Sequence, residues 1–198
     1  ISRVARAPLA RTRRRKCGSW KGRVVVFIQI KWPELMRKLL VALFLLPVLV
    51  WADVLTGKVV SVHDGDTITV LASIKKQHRI RLSGIDAPEL SQAYGRRSRD
   101  HLAGLVASRN VQVEWQKHDK YRRVVGKVQV NGRDANLEQL RAGLAWHYKK
   151  YESEQAYDDR KLYADAEQSA RARGIGLWHD KNAVPPWEFR RQRANHDR

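Results

Sequence analysis

From position 53 onward, apolar and polar residues alternate in two rhythms. A period near two appears five times. Residues 54–62 are rich in Val and read as a strand. Residues 67–71 alternate cleanly, 79–82 begin a third strand that ends at Gly84-Ile85, and 111–115 alternate again. The fifth strand, 124–130, is closed by the turn Asn131-Gly132. A period near 3.6 appears between and after them. Tyr94, His101, Leu102, Leu105 and Val106 fall on one helical face, which predicts a helix over 92–108. Asn136, with Gln139 three residues on, reads as a capping box that opens a short helix lined by Leu137, Leu140 and Leu144 and ended by Gly143. Ala156, Tyr163, Ala166 and Ala170 form one stripe of a long helix over 152–173, stopped by Gly174. Residues 175–198 hold Trp178, Pro185, Pro186 and Trp187, then a basic end that is expected to fray.

Three strands, a helix, two strands and further helices make an α+β domain. Five strands in a domain of this size predict a small closed or partly closed barrel, with the OB-fold as the leading case. No internal repeat is visible.

The first fifty residues follow neither rhythm. Met36 is followed by Arg37 and Lys38, then by twelve mainly aliphatic residues, 39–50, and then by Trp51 and Ala52. A basic start, a short apolar run and small residues at Val50 and Ala52 are the parts of a secretory signal peptide cleaved after Ala52. The run is short for a membrane span, which needs about 20 apolar residues. An uncleaved anchor is the alternative. Residues 1–35 are expected to be a mistranslated or disordered basic extension, with initiation at Met36; a nucleic-acid-binding arm is its rival. The expected organisation is therefore 1–35 extension, 36–52 signal peptide, 53–180 folded domain and 181–198 basic tail.

Charge sharpens this division. The net charge is +19, and residues 1–52 carry twelve Lys and Arg against one acid. The remaining 146 residues are basic but moderately so. An acidic disordered chain is excluded. The single cysteine, Cys17, excludes an internal disulfide and a cysteine-built zinc site. A cysteine-free domain of this length can bury roughly 68–70% of its unfolded surface and needs no staples.

The chemistry gathers at strand ends. Asp64 and Asp66 flank Gly65, and Asp86 and Glu89 flank Pro88. Each pair alone is ordinary turn chemistry. Together they supply four hard oxygen donors, with no cysteine and no histidine cluster, which favours Ca²⁺ or Mg²⁺. Arg81 precedes Asp86 by five residues, and Asp119-Lys120-Tyr121-Arg122-Arg123 forms a basic loop between the last two strands. A cation, guanidinium donors and a carboxylate able to take a proton from water are the parts that phosphodiester cleavage requires.

Asp64-Gly65-Asp66-Thr67, then Arg81-Leu82-Ser83-Gly84-Ile85-Asp86-Ala87-Pro88-Glu89, then Asp119-Lys120-Tyr121-Arg122-Arg123 resemble, in order and spacing, the three motifs of the staphylococcal nuclease family. The likeness runs from about Val54 to Trp187. It implies a five-stranded OB-fold β-barrel with three α-helices, and a monomer that hydrolyses DNA and RNA; with the signal peptide, the enzyme is expected to be secreted or periplasmic. It implies one Ca²⁺ held by Asp66, Asp86 and the Ala87 backbone carbonyl, where the family often carries Thr. Glu89 would be the general base, and Arg81 and Arg123 the catalytic guanidiniums on the scissile phosphate. Lys120 and Tyr121 would contact a neighbouring phosphate, and Tyr148 would lie near the nucleotide base. Asp64 would shape the turn. Arg122 replaces a glycine common beside the catalytic arginine. No stable protein partner is implied, and a membrane enters only through an uncleaved signal segment. The rival reading is a catalytically inactive OB-fold module that binds nucleic acid without cutting it.

Overall fold

The structure is a computed structural model that describes residues 53–73 and 75–196. The expected extension and signal peptide lie outside the described residues.

Among the described residues, eight strands form in chain order: β1 Asp53–Val62, β2 Thr67–Ala72, β3 Gln77–Leu82, β4 Ile85–Asp86, β5 Asn110–His118, β6 Val124–Val130, β7 Arg133–Asp134 and β8 Trp146–His147. The five long ones close on themselves. β1 pairs antiparallel with β2 and with β5, β2 with β3, and β5 with β6. A parallel pairing of β3 with β6 shuts the barrel, with Arg81 opposite Val125. A closed five-stranded barrel with helices is the α+β OB-fold that the strand pattern predicts. Register shifts at Val59/Ser61 in β1 and Trp115/Lys117 in β5 supply the local bends such a small barrel requires.

Alternation places Val59, Ile68, Val70, Ile80, Leu82, Val113, Val124 and Val128 inside, all fully buried. Helices α1 Gly95–Val106, α2 Ala135–Arg141 and α3 Tyr157–Ala172 pack around the barrel. They contribute Leu102, Val106, Leu137, Leu140, Tyr163 and Ala166 to the same core.

Four expectations change. Asp134, not Asn136, caps α2: its carboxylate accepts the N–H groups of Asn136 and Leu137 at 2.9 and 3.1 Å. Asn136 is instead buried as a stitch, accepting from Val128 N and donating to Ser83 O and Gly126 O. Gln139 is buried too and donates to Gly65 O at 2.6 Å and Ser98 O at 3.0 Å. The helix expected over 152–173 is broken. A 3₁₀ segment, Lys149–Glu154, precedes α3, and Gln155 and Ala156 between them are extended. The Gln155 side chain is drawn to His147 Nε2 at 2.9 Å, a tertiary contact that outweighs helical propensity. The first helix begins at Gly95 and follows Tyr94, which lies in the left-handed region at φ 66°. The end expected to fray forms a fourth helix, α4 Pro186–His196.

Tyr163 ties two of these features together. Its hydroxyl donates to Asp134 Oδ2 at 2.7 Å, so the helix α3 supports the cap of α2. Burial pushes both groups up, the tyrosine further through the facing carboxylate. Tyr163→Phe should cost about 1–2 kcal/mol in urea unfolding, because the half-buried carboxylate loses its hydroxyl partner.

Candidate active site

The turn between β1 and β2 places the first carboxylate. His63 N–H bonds Thr67 O at 2.9 Å, and Asp66 N–H bonds Asp64 Oδ1 at 3.0 Å. Asp64 thus closes an Asx turn that sends Asp66 inward. Gly65 is required by close approach: a Cβ there would overlap Ser98 Oγ and come within 2.7 Å of the Ala87 Cβ. The turn is therefore clamped between α1 and the second motif.

The second carboxylate sits on β4, whose two residues pair with β8, Asp86 opposite Trp146 and Ile85 opposite His147. Asp86 is 1% exposed. The following loop folds back on the start of α1, where a Cβ on Gly95 would overlap the Glu89 carbonyl. That contact fixes the backbone that carries Glu89.

Arg81 joins the two acids. Its Nη1 lies 2.8 Å from Asp66 Oδ2 and its Nη2 lies 2.7 Å from Asp86 Oδ1. Asp66 Oδ2 also accepts Ala87 N–H at 2.7 Å, and Thr67 Oγ1 donates to Asp66 Oδ1. Residues from β2, β3, β4 and the loop after it thus meet at one point. Burial pushes the Asp66 carboxyl up to about 8; Arg81 pulls it back down, while Asp64 and Asp86 add to the rise. The acids crowd a site that asks for more positive charge.

Arg123 lies outside that cluster. The β3–β6 register sets Arg81 opposite Val125, and Arg123 immediately precedes β6. Its Nε donates to Asp119 Oδ2 at 2.7 Å, and its N–H donates to Asp119 Oδ1 at 2.9 Å. Tyr121 N–H shares that oxygen at 2.9 Å. The exposed Tyr121 ring faces the Arg123 guanidinium at 5.4 Å and Lys120 Nζ at 5.0 Å. Arg122 occupies the left-handed region at φ 62°, which accounts for a glycine suiting this place and costs a side chain roughly 1–2 kcal/mol. Tyr148 stands apart from the carboxylates. Its ring packs against Tyr151 at 5.4 Å and Trp187 at 5.5 Å, and its N–H bonds Gly84 O.

The structure adds a residue that sequence reasoning passed over. Arg190, on α4, reaches Asp86 Oδ2 with Nη2 at 2.7 Å and Glu89 Oε1 with Nη1 at 2.8 Å. Of the sequence-derived set, then, Asp66, Arg81, Asp86 and Ala87 touch directly, and Glu89 joins them through Arg190. Arg123, Lys120 and Tyr121 form a second group on the neighbouring loop. The only sequence signal for Arg190 was its place three residues after Trp187, on one helical face.

Known proteins are similar to this chain in sequence. A family model described as "Staphylococcal nuclease homologue" matches residues 79–180. A protein of Escherichia coli named "Uncharacterized endonuclease" is 43% identical over 162 residues, 80% of this chain and 100% of the relative. A Haemophilus influenzae protein of the same description is 40% identical over 137 residues, 69% of this chain and 74% of its own length. A Shigella flexneri protein named "Micrococcal nuclease" is 40% identical over 154 residues, covering 73% and 85%.

The Asp119 turn is testable through its acidity. Burial pushes the Asp119 carboxyl up, but the hydrogen bonds and charge of Arg123, with the Tyr121 N–H, outweigh it and leave the group below its ordinary 3.8. A folded value below the unfolded one stabilises at full strength above 3.8 and is lost as pH falls through the lower folded value. Asp119→Ala should therefore cost on the order of 1–2 kcal/mol near neutral pH. The gap from the wild type should persist in denaturant titrations down to 3.8 and close below it.

Proposed function

The chain belongs to the staphylococcal nuclease family and is an endonuclease-type hydrolase, and on that premise we propose a secreted or periplasmic, calcium-dependent, monomeric enzyme. Its substrates are DNA and RNA, cut with little sequence preference to leave 3′-phosphate ends. The observation that carries the reading is the convergence of Asp66, Arg81 and Asp86 on one point, with Glu89 in the same loop as Asp86.

The donor set suits a hard cation. Two buried carboxylates and the Ala87 carbonyl offer oxygen alone. Among the described residues no three His, Cys, Asp or Glu side chains converge, so water and a phosphate oxygen would complete the shell, as an open catalytic site needs. Bound there, Ca²⁺ would add positive charge beside the phosphate.

The chain's own groups divide the remaining work. Glu89 accepts a proton as water attacks phosphorus; the new P–O bond forms as the bond to the 5′ oxygen breaks, and that oxygen takes a proton from solvent. Arg81 and Arg123 hold the non-bridging oxygens, where charge grows in the transition state. The guanidinium fork matches phosphate in a way a lysine ammonium cannot. Lys120 and Tyr121, next to Arg123, suit a neighbouring phosphate, and Tyr148 offers a face to a base. Export rests on the apolar run 39–50 behind Arg37 and Lys38. Among the described residues no helix is long and apolar enough to cross a membrane.

The test is single-stranded DNA incubated with the protein and millimolar Ca²⁺ or EGTA, with end-group analysis. Cleavage confined to the Ca²⁺ arm and leaving 3′-phosphates is expected; binding without cutting would make the chain a binding module. Arg81→Lys and Arg123→Lys should each lose roughly 2.7–4 kcal/mol of transition-state stabilisation, read as kcat/KM, with the circular-dichroism spectrum unchanged. Glu89→Ser should abolish most turnover while Ca²⁺ binding persists.

A further inference from the structure

All four carboxylate oxygens of Asp66 and Asp86 that would receive a cation in this site are already engaged. Asp66 Oδ2 accepts from Arg81 and Ala87 N–H, and Asp66 Oδ1 from Thr67. Asp86 Oδ1 accepts from Arg81 at 2.7 Å and from Arg190 at 3.3 Å, and Asp86 Oδ2 accepts from Arg190 at 2.7 Å. Glu89 Oε1 accepts from Arg190 at 2.8 Å. Two guanidiniums thus balance most of the charge of three carboxylates.

The two arginines are not equivalent. Arg81 belongs to a barrel strand and its side chain is 15% exposed. Arg190 closes the solvent side, with a side chain 44% exposed, and arrives on α4. That helix is held by Trp187, one turn earlier on the same face. The Trp187 ring packs edge-on against Trp146 at 5.6 Å and tilted against Tyr148 at 5.5 Å. Trp146 is the partner of Asp86 in the β4–β8 pair, so the anchor and the guanidinium grip the two facing residues of one strand pair. The approach is also tied down before the helix begins, where Gln92 Nε2 donates to Val184 O at 2.6 Å.

We propose that Arg190 is a positioning residue that stands in for the divalent cation: before a cation binds it neutralises Asp86 and Glu89, and a cation binds only by displacing it from Asp86. Asp86 and Glu89 would repel one another, and a tethered guanidinium bridging both keeps them together without the ion. A cation needs the same Asp86 oxygens, so the two bind in competition. While Arg190 holds Glu89, one oxygen of that carboxylate is also occupied as a hydrogen-bond acceptor. The inference rests on the calcium reading above.

The experiment is calorimetric titration of Ca²⁺ into the full chain without nucleic acid, for the wild type, Arg190→Gln, Arg190→Lys and Trp187→Ala, with melting curves in EGTA and in Ca²⁺. Arg190→Gln should bind Ca²⁺ at least about tenfold more tightly, equivalent to ~1.4 kcal/mol. Arg190→Lys, which keeps the charge but loses the fork, should fall between. Trp187→Ala, which keeps Arg190 but loosens its helix, should shift affinity in the same direction. In EGTA the Arg190→Gln protein should melt lower than the wild type, and its gain on adding Ca²⁺ should be larger. Ca²⁺ affinity in Arg190→Gln equal to or weaker than the wild type overturns the inference and leaves the calcium reading standing. Unchanged affinity with a raised KM for single-stranded DNA would instead make Arg190 a phosphate ligand. A wild type that takes up no Ca²⁺ and cuts without it overturns both.

Discussion

The Arg81 guanidinium, wedged between two buried carboxylates, is the interaction on which the rest depends. Asp66 and Asp86 come from separate strand ends and would repel each other without it. Buried ion pairs of this kind are weak evidence for stability, since desolvation offsets most of the attraction. Their value here is positional. One planar fork fixes the relative placement of β2, β3 and β4, and so of every oxygen in the site.

The scaffold keeps that placement by close approach. Gly65 admits Ser98 and Ala87 against the first turn, and Gly95 admits the Glu89 backbone. Buried Gln139 donates to Gly65 O from α2, and buried Asn136 spans β6 and the turn before β4. These amides sit where an apolar side chain would leave carbonyls orphaned. The barrel thus presents rigid loops at one edge, while the Asp119 turn holds Arg123 on a neighbouring loop by a separate set of bonds.

Helix α4 couples the two ends of the described chain's chemistry. Its aromatic anchor rests on the strand paired with the one that carries Asp86, and its guanidinium rests on the acids themselves. Charge in the site is therefore set by a residue more than a hundred positions distant from the carboxylates it neutralises.

The sequence by itself determined the barrel, because alternation of Val and Ile at period two can bury only one face, and five such runs leave few ways to close. It nominated Asp66 beside Gly65, and Arg81, Asp86 and Glu89 in one short stretch around Pro88, but that Asp66, Arg81 and Asp86 meet was decided by the barrel. Strand termini moved by a few residues, as hydrogen bonding at ends obliges. Tertiary structure alone decided the rest. Asp134 displaced Asn136 as the cap because Asn136 was needed to satisfy Val128 and Ser83 across the barrel. Gln155 left the helical conformation, with His147 as the partner of its side chain. Two-residue strands such as β4 and β8 carry no periodic signal and exist only as a pair. Arg190 was one basic residue in a basic tail until folding brought it to Asp86. A charge's partner depends on distance in space, and a helix of mixed polarity does not state in its sequence what it will lie against.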